Sequence, residues 1–349
     1  MTATLGVPTE VKGGEHLVTL DPHTVAMLTG ADLKVLVEFG AGVAAGYSDA
    51  AHQSASADLL VKVKEPPPSK WRQFRHGLKF FGYLHLAAAS QLVRALQETG
   101  VEAHAFETVT ENRGLLLLAP TSDIARCAAA IMGMYYLAQS SSTLLGGSAG
   151  VRPARVVVIG TGVTGSMAAR GARGMDVEVT GTKVNLERLR QLQCDGTVSA
   201  TLVSSPSAIG EILGQADLDI GSALAIGARA PLVVTTGQVG AMREGSVIVD
   251  LAIDHGGCIE TSRPTSLSNP AYEQGGVIYC YVTNVPGQFP PTASRALSAA
   301  IAPRERQLAF EPHHPAPSGS LNVSDVLIIR PSLPHSTYHH SLSRSEGFL

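Results

Sequence analysis

Val156, Val157, Val158 and Ile159 run straight into Gly160, Thr161, Gly162, Val163, Thr164 and Gly165. Four successive β-branched apolar residues bounded by turn formers read as a strand buried on both faces of a parallel sheet. Small residues at helical spacing follow, and a second strand is expected over 177–180. A G-x-G-x-x-G pattern between a strand and a helix inside a βαβ unit is a dinucleotide-binding arrangement, a much stronger signal than the bare pattern. Gly160 permits the tight turn, Gly162 with the backbone at Val163 lets a pyrophosphate approach, and Gly165 lets the helix close on the strand. The fold that follows is α/β, built on a doubly wound parallel sheet.

The second strand ends without the Asp or Glu that usually accepts from the ribose 2′-hydroxyl of NAD. Gly181, Thr182 and Lys183 stand there, with Arg188 and Arg190 beyond. Lys183, helped by Thr182 and Arg188, can hold a 2′-phosphate, so NADP is expected to bind at least as tightly as NAD. Solvated charges at a strand end are the other reading of the same residues.

Composition narrows the class. A chain of 349 residues exceeds the size at which a single core stops growing, so two domains are expected. Net charge is −3 with both signs interspersed, and no apolar run has the length of a membrane span, which argues against nucleic-acid or membrane partners. The opening stretch lacks the layout of a signal peptide, making the cytoplasm the expected location. Four widely spaced cysteines, Cys127, Cys194, Cys258 and Cys280, suit free and mostly buried thiols and give no metal-site pattern.

Strands are expected over 4–8, 18–20, 34–39, 59–64, 78–84 and 102–108. Asp21 followed by Pro22 should cap a first helix, Ser90 a second reaching Gly100, and Ser122 a third over 122–138 that leads towards the second domain. Residues 46–58 read as a loop. Further βα elements are expected with strands over 201–203, 217–222, 246–253 and 277–282; their carboxyl ends carry Ser204, Ala223, Leu224, Asp254 and Asn284. Beyond about Ala302 the Pro, Ser and His content predicts an irregular tail, dispensable for the dinucleotide site. The division expected is 1–121 for a substrate domain, 122–300 for the dinucleotide domain and 301–349 for the tail.

GVPTEVKGGE, LLVKVKEP, FFGYLHLAA, ETVTENRGLLLLAPTSDIA, VIVDLAIDHGGCIETSRPT and YCYVTNVPG, together with the glycine motif, resemble the alanine dehydrogenase and pyridine nucleotide transhydrogenase family over roughly residues 5–300. The resemblance implies a Rossmann domain and an α/β substrate domain with the active site in the cleft between them. It implies NAD(P)-dependent hydride transfer from the Cα of a small amino acid, giving an imine that water hydrolyses to a 2-oxo acid and ammonia, or the reverse. A homo-oligomer is expected with it.

Residue by residue, Lys64 matches the lysine on the substrate carboxylate and carbonyl oxygen, where a cation stabilises developing charge. His85 matches the catalytic histidine, and an imidazole's ordinary pKa near 6.5 suits proton exchange at neutral pH. Asp254 matches the aspartate near the substrate amine, and Asn284 an active-site asparagine. Ser122, Arg188, Ser204, Ala223 and Leu224 match cofactor contacts. Tyr83 reads as core. Four departures stand out. Leu17 takes the place of an arginine that forks onto the substrate carboxylate, and Thr121 that of a methionine packed on the substrate methyl. A strand and helix ahead of LLVKVKEP are largely absent, and the tail replaces helices that normally return to the substrate domain. Two further readings therefore stay open, an imine or 2-oxo acid reductase with another substrate and a non-catalytic dinucleotide-binding relative.

Overall fold

A computed structural model describes residues 4–31, 33–48, 57–86, 89–111, 114–141, 143–225, 229–310, 321–324 and 327–328. Most of the loop expected over 46–58 lies outside them. In chain order the first part comprises β1 (Thr4–Val7), α1 (Pro22–Gly30), β2 (Lys34–Val37), β3 (Leu59–Lys64), β4 (Lys79–Tyr83), α2 (Ser90–Thr99), β5 (Glu102–Ala105) and a small ribbon, β6 (Thr110–Glu111) with β7 (Gly114–Leu115). The long helix α3 (Leu118–Ser140) leads to β8 (Arg155–Ile159), α4 (Val163–Arg173), β9 (Glu178–Lys183), α5 (Leu186–Cys194), β10 (Ala200–Val203), α6 (Pro206–Leu213), β11 (Leu218–Gly221), α7 (Thr236–Val239), β12 (Val247–Asp250), β13 (Tyr272–Gln274) and β14 (Val277–Cys280). The chain ends its described course in α8 (Pro290–Phe310), β15 (Leu321–Ser324) and β16 (Leu327–Ile328).

Apart from the β6–β7 ribbon, these strands form two seven-stranded sheets, ordered β16-β15-β5-β4-β3-β1-β2 and β10-β9-β8-β11-β12-β14-β13. The second has the dinucleotide-binding order with an antiparallel edge. Its central strand is apolar on both sides because both sides are covered. Val156 and Val158 enter the core that also holds Ala128 and Ala168, from α3 and α4, while Val157 and Ile159 enter the core with Ile209 and Val239, from α6 and α7. In the first sheet Phe81 and Tyr83 of β4 pack with Val61 and Val63, and Phe80 packs on the other side with Leu92 and Leu96 of α2. That alternation is the period of two that a strand imposes.

Local signals decide most boundaries. Asp21 caps α1, its Oδ1 accepting from Thr24 N at 2.8 Å. Gly100 ends α2 at φ 65°, and Ala89 stands at the N-cap, so Ser90 is the first residue of that helix and not its cap. Ser122 likewise lies inside α3, which begins four residues earlier. Residues 18–20 are not a strand. Leu17, Val18 and Leu20 are buried there without a ladder, and the Val18 N–H donates instead to Ser294 Oγ at 3.1 Å. Of the four thiols, Cys258 and Cys280 are buried while Cys127 and Cys194 are exposed.

The largest correction concerns the end of the chain. Helix α8 continues past Ala302 to Phe310 despite Pro303, and β15 pairs antiparallel with β5 of the first sheet. Ala293, Leu297 and Ile301, spaced by four, are fully buried in the core of the first sheet, which gives the helix the apolar stripe that docks it there. Ser298 Oγ accepts from Asp21 N at 2.9 Å, and Asn322 Nδ2 donates to Thr108 Oγ1 at 2.9 Å. The expected irregular tail therefore contains, over 301–310 and 321–324, elements that complete the first domain. Leu297→Ala is expected to cost about 2–5 kcal/mol in urea unfolding. A loss below about 1 kcal/mol would show that α8 does not close this core.

Candidate active site between the two sheets

The carboxyl ends of β3 and β4 face those of β12 and β14 across a cleft lined by Lys64, His85, Leu17, Asp254, Asn284 and Leu224. Lys64, the last residue of β3, is buried. Its Nζ lies 3.7 Å from Asp254 Oδ2, across the cleft. Burial disfavours both charges, yet Asp254, with help from Glu15, Glu65 and Glu107, raises the Lys64 pKa, while Lys64 and His85 hold the Asp254 carboxyl below its usual range. Asp254 sits in a 3₁₀ turn, Ile253–His255, past the carboxyl end of β12 as expected, although the strand stops at Asp250 and not at Ile253. The Asn284 N–H donates to its Oδ2 at 3.3 Å, and Asn284 Nδ2 donates to the Gly14 carbonyl at 3.2 Å, tying the two domains together beside the site.

His85 follows β4 with φ 48°, a left-handed conformation that costs a non-glycine residue roughly 1 kcal/mol or more. Glu107 holds it there. Its Oε1 accepts from the His85 N–H at 2.7 Å, and its Oε2 lies 3.4 Å from the Leu84 nitrogen. On the ring side, His85 Nδ1 is 3.3 Å from Glu65 Oε2. Burial opposes the Glu65 charge, but His85 and Lys12 outweigh it and hold the carboxyl at about 2. Because that value lies below the ordinary ~4.3 of the unfolded chain, ionised Glu65 stabilises the fold above the unfolded pKa and loses that effect as pH falls towards 2. The stability gap between the wild type and Glu65→Gln is thus expected to be open at mildly acidic pH and to close with acidification. A gap that stays constant down to pH about 2 would contradict the pairing.

Several of these residues escaped sequence reasoning. Glu65 and Glu107 orient His85 but carry no motif of their own. His255 stands with its ring centroid 5.4 Å from that of His85, and burial together with the facing His85 pushes its pKa down to about 4. Tyr83, expected in the core, also lines the cleft; its hydroxyl donates to the Leu117 carbonyl at 2.6 Å and lies 3.2 Å from Thr121 Oγ1. The Thr121 hydroxyl donates to the Leu118 carbonyl at 3.0 Å, so it is already engaged and is not an open donor for a substrate.

The glycine motif has the geometry its pattern requires. Gly160 has φ 88°, and a Cβ there would stand 2.6 Å from the Ala223 Cα; one on Gly165 would stand 2.3 Å from the Gly160 carbonyl oxygen. Ser222 braces the turn by donating to the Gly160 carbonyl at 2.8 Å. Gly162, by contrast, faces open space, with only Lys183 Nζ among the described residues near its missing Cβ, at 3.7 Å. That opening at the start of α4, where Val163 is the first helical residue, fits a dinucleotide phosphate approaching the backbone. Ser122 meets this turn, its Oγ accepting from Thr164 Oγ1 at 2.9 Å, and the Ser204 N–H donates to the Lys183 carbonyl at 3.0 Å. Thr182 is fully buried, with Oγ1 3.3 Å from the Gly160 nitrogen. It supports the turn and is closed to a 2′-phosphate, contrary to its expected role.

Models of the alanine dehydrogenase/PNT N-terminal and C-terminal domains match residues 6–125 and 125–323. The alanine dehydrogenase of Bacillus subtilis is 42% identical over 322 residues, 87% of this chain and 85% of that protein. That of Mycobacterium tuberculosis is 40% identical over 324 residues, 87% of each. A solved L-alanine dehydrogenase superposes with a TM-score of 0.85 at 38% identity, covering 94% of this chain and 97% of the other. A transhydrogenase from Sinorhizobium meliloti, 22% identical, shares the fold with a TM-score of 0.79 over 93% of this chain and all of its own.

Proposed function

The chain belongs to the alanine dehydrogenase/PNT family, and from that premise we propose that it oxidatively deaminates L-alanine or a related small amino acid, with the reverse reductive amination at the same site. The observation that carries the reading is the meeting of Lys64 and His85, from one sheet, with Asp254 and Asn284, from the other, in a single cleft. A protein that only bound a dinucleotide would need none of these four. NAD or NADP supplies the acceptor for the Cα hydride when it is bound.

Asp254, ionised and partly turned to the cleft, attracts the substrate ammonium, and Lys64 attracts the carboxylate. Loss of the Cα hydride and of one amine proton leaves an imine. His85 takes a proton from the water that adds to the imine carbon and returns it to the nitrogen; the hydroxyl so formed then gives its remaining proton to the imidazole as the C–N bond breaks, leaving the carbonyl and releasing ammonia. The Lys64 ammonium stabilises the oxygen charge of that step. Glu65 on Nδ1 fixes the ring so that Nε2 exchanges the proton. Asn284, in the left-handed conformation at φ 60°, positions Asp254 through its N–H.

We also propose that the protein works in the cytoplasm as a homo-oligomer. No helix among the described residues is long and apolar enough to cross a membrane. Ile131 and Tyr135 on α3 and Leu144 beyond it are exposed apolar side chains of the kind that subunit contacts cover. The function is tested by following reduction of NAD and of NADP at alkaline pH with a panel of L-amino acids. Reduction accompanied by equimolar ammonia supports it, and silence with every amino acid and both cofactors overturns it. Leu17, a buried apolar residue lining the cleft where the family resemblance implies an arginine, favours a second reading in which the same hydride chemistry serves another amino acid or imine.

A further inference from the structure

Lys183 closes β9, and the ladder that pairs Ile159 with Thr182 brings it level with Gly160 at the phosphate turn. Among the described residues its ammonium is the nearest group to the open side of Gly162. Arg188, in the first turn of α5, lines the same opening together with Val163, Asn185 and Gln191. The helix is pinned by Asn185, whose Oδ1 accepts from the Arg188 N–H at 2.8 Å. The Arg188 guanidinium donates to Gln191 Oε1 at 2.7 Å and to Ser166 Oγ at 3.1 Å, two neutral partners that orient it without cancelling its charge. Partial burial and Arg188 together push the Lys183 pKa down, as expected of two cations brought together. Glu187 is exposed at the rim of the same opening.

From this geometry we propose that the adenosine-ribose end of the cofactor site is a 2′-phosphate site whose cations are Lys183 and Arg188, so that NADP(H) is bound in preference to NAD(H). The inference rests on the dinucleotide reading of the Rossmann unit and deepens it. A carboxylate at the end of the second strand accepts from a ribose 2′-hydroxyl and repels a phosphate; a lysine at that position does the reverse. Bidentate or paired cationic recognition of phosphate is worth more than neutral hydrogen bonding, and here the Arg188 guanidinium is oriented by Gln191 and Ser166 before any ligand arrives.

Isothermal titration of the full-length protein with NADPH and NADH, without amino acid, measures the preference directly. The wild type is expected to bind NADPH about 10–100-fold more tightly. Lys183→Met should remove most of that ratio while leaving NADH affinity within about threefold, and Lys183→Asp should invert it. Raising ionic strength should narrow the wild-type ratio, because the site is partly open to solvent. Equal or tighter binding of NADH by the wild type overturns the proposal. So does an equal weakening of both dinucleotides by Lys183→Met, which would assign the lysine to the pyrophosphate they share. Because binding is read without turnover, an inactive protein with the expected ratio would refute the deamination reading and leave this one standing.

Discussion

Turnover of the amino acid by His85→Ala is expected to fall by about 10²–10⁴-fold, the usual cost of removing a positioned general acid and base. The backbone at 85 is left-handed in the wild type and held by the Glu107 carboxylate through main-chain N–H groups. Alanine can keep those main-chain hydrogen bonds, so the change chiefly removes the imidazole, at a modest added conformational cost because histidine tolerates the left-handed region better. Dinucleotide affinity should stay within a factor of a few, because the phosphate turn at Gly160–Gly165 belongs to the other sheet. Glu65→Gln provides the companion measurement. It keeps a hydrogen-bonding group beside Nδ1 but removes the charge, so it should lower kcat, displace the acidic limb of the pH profile and leave KM little changed. An undiminished rate in His85→Ala would remove the histidine from the mechanism.

What could be read from the residues alone follows from the range of the forces involved. The apolar run of β8, the three glycines and the Asp21 cap act over a few residues, and their geometry matches the reading. Lys64, His85, Asp254 and Asn284 were legible only through matched blocks; their burial and mutual distances come from two domains meeting. Glu65, Glu107 and His255 were missed because a carboxylate or imidazole acquires such a role from neighbours remote in sequence. The His85–Glu107 bond, for example, spans 22 residues. Composition also misled at the end of the chain. Proline and serine around 303–320 suggested an irregular tail, whereas Ala293, Leu297 and Ile301 already formed an apolar stripe at helical spacing. Thr182 failed for a different reason. On a strand, alternation sends successive side chains to opposite faces, so Thr182 and Lys183 could not both reach the opening.

Leu17→Arg is expected to lower the KM for L-alanine by about 10–100-fold, with a smaller change in kcat. Leu17 is 2% exposed and lines the cleft on the side of Lys64. The substrate carboxylate therefore meets one ammonium already shared with Asp254, in a neighbourhood that also holds Glu15, Glu65 and Glu107. Glu15 makes the imbalance specific. Its Oε1 accepts from the Leu17 N–H at 2.9 Å, while its Oε2 is buried without a hydrogen-bond partner among the described residues. A guanidinium introduced at position 17 would enter the cleft that Lys64 also lines, two residues along the chain from Glu15. The larger side chain carries an overpacking cost of about 1–3 kcal/mol, and retained NADPH or NADH affinity shows that the fold has absorbed it. Amino acids with larger apolar side chains, or amines without a free carboxylate, should lose ground to alanine in the variant, since the leucine surface that accommodates them is gone. If the wild type already handles alanine with a KM unchanged by Leu17→Arg, the leucine does not shape substrate choice, and alanine remains the substrate on the strength of Lys64 and Asp254 alone.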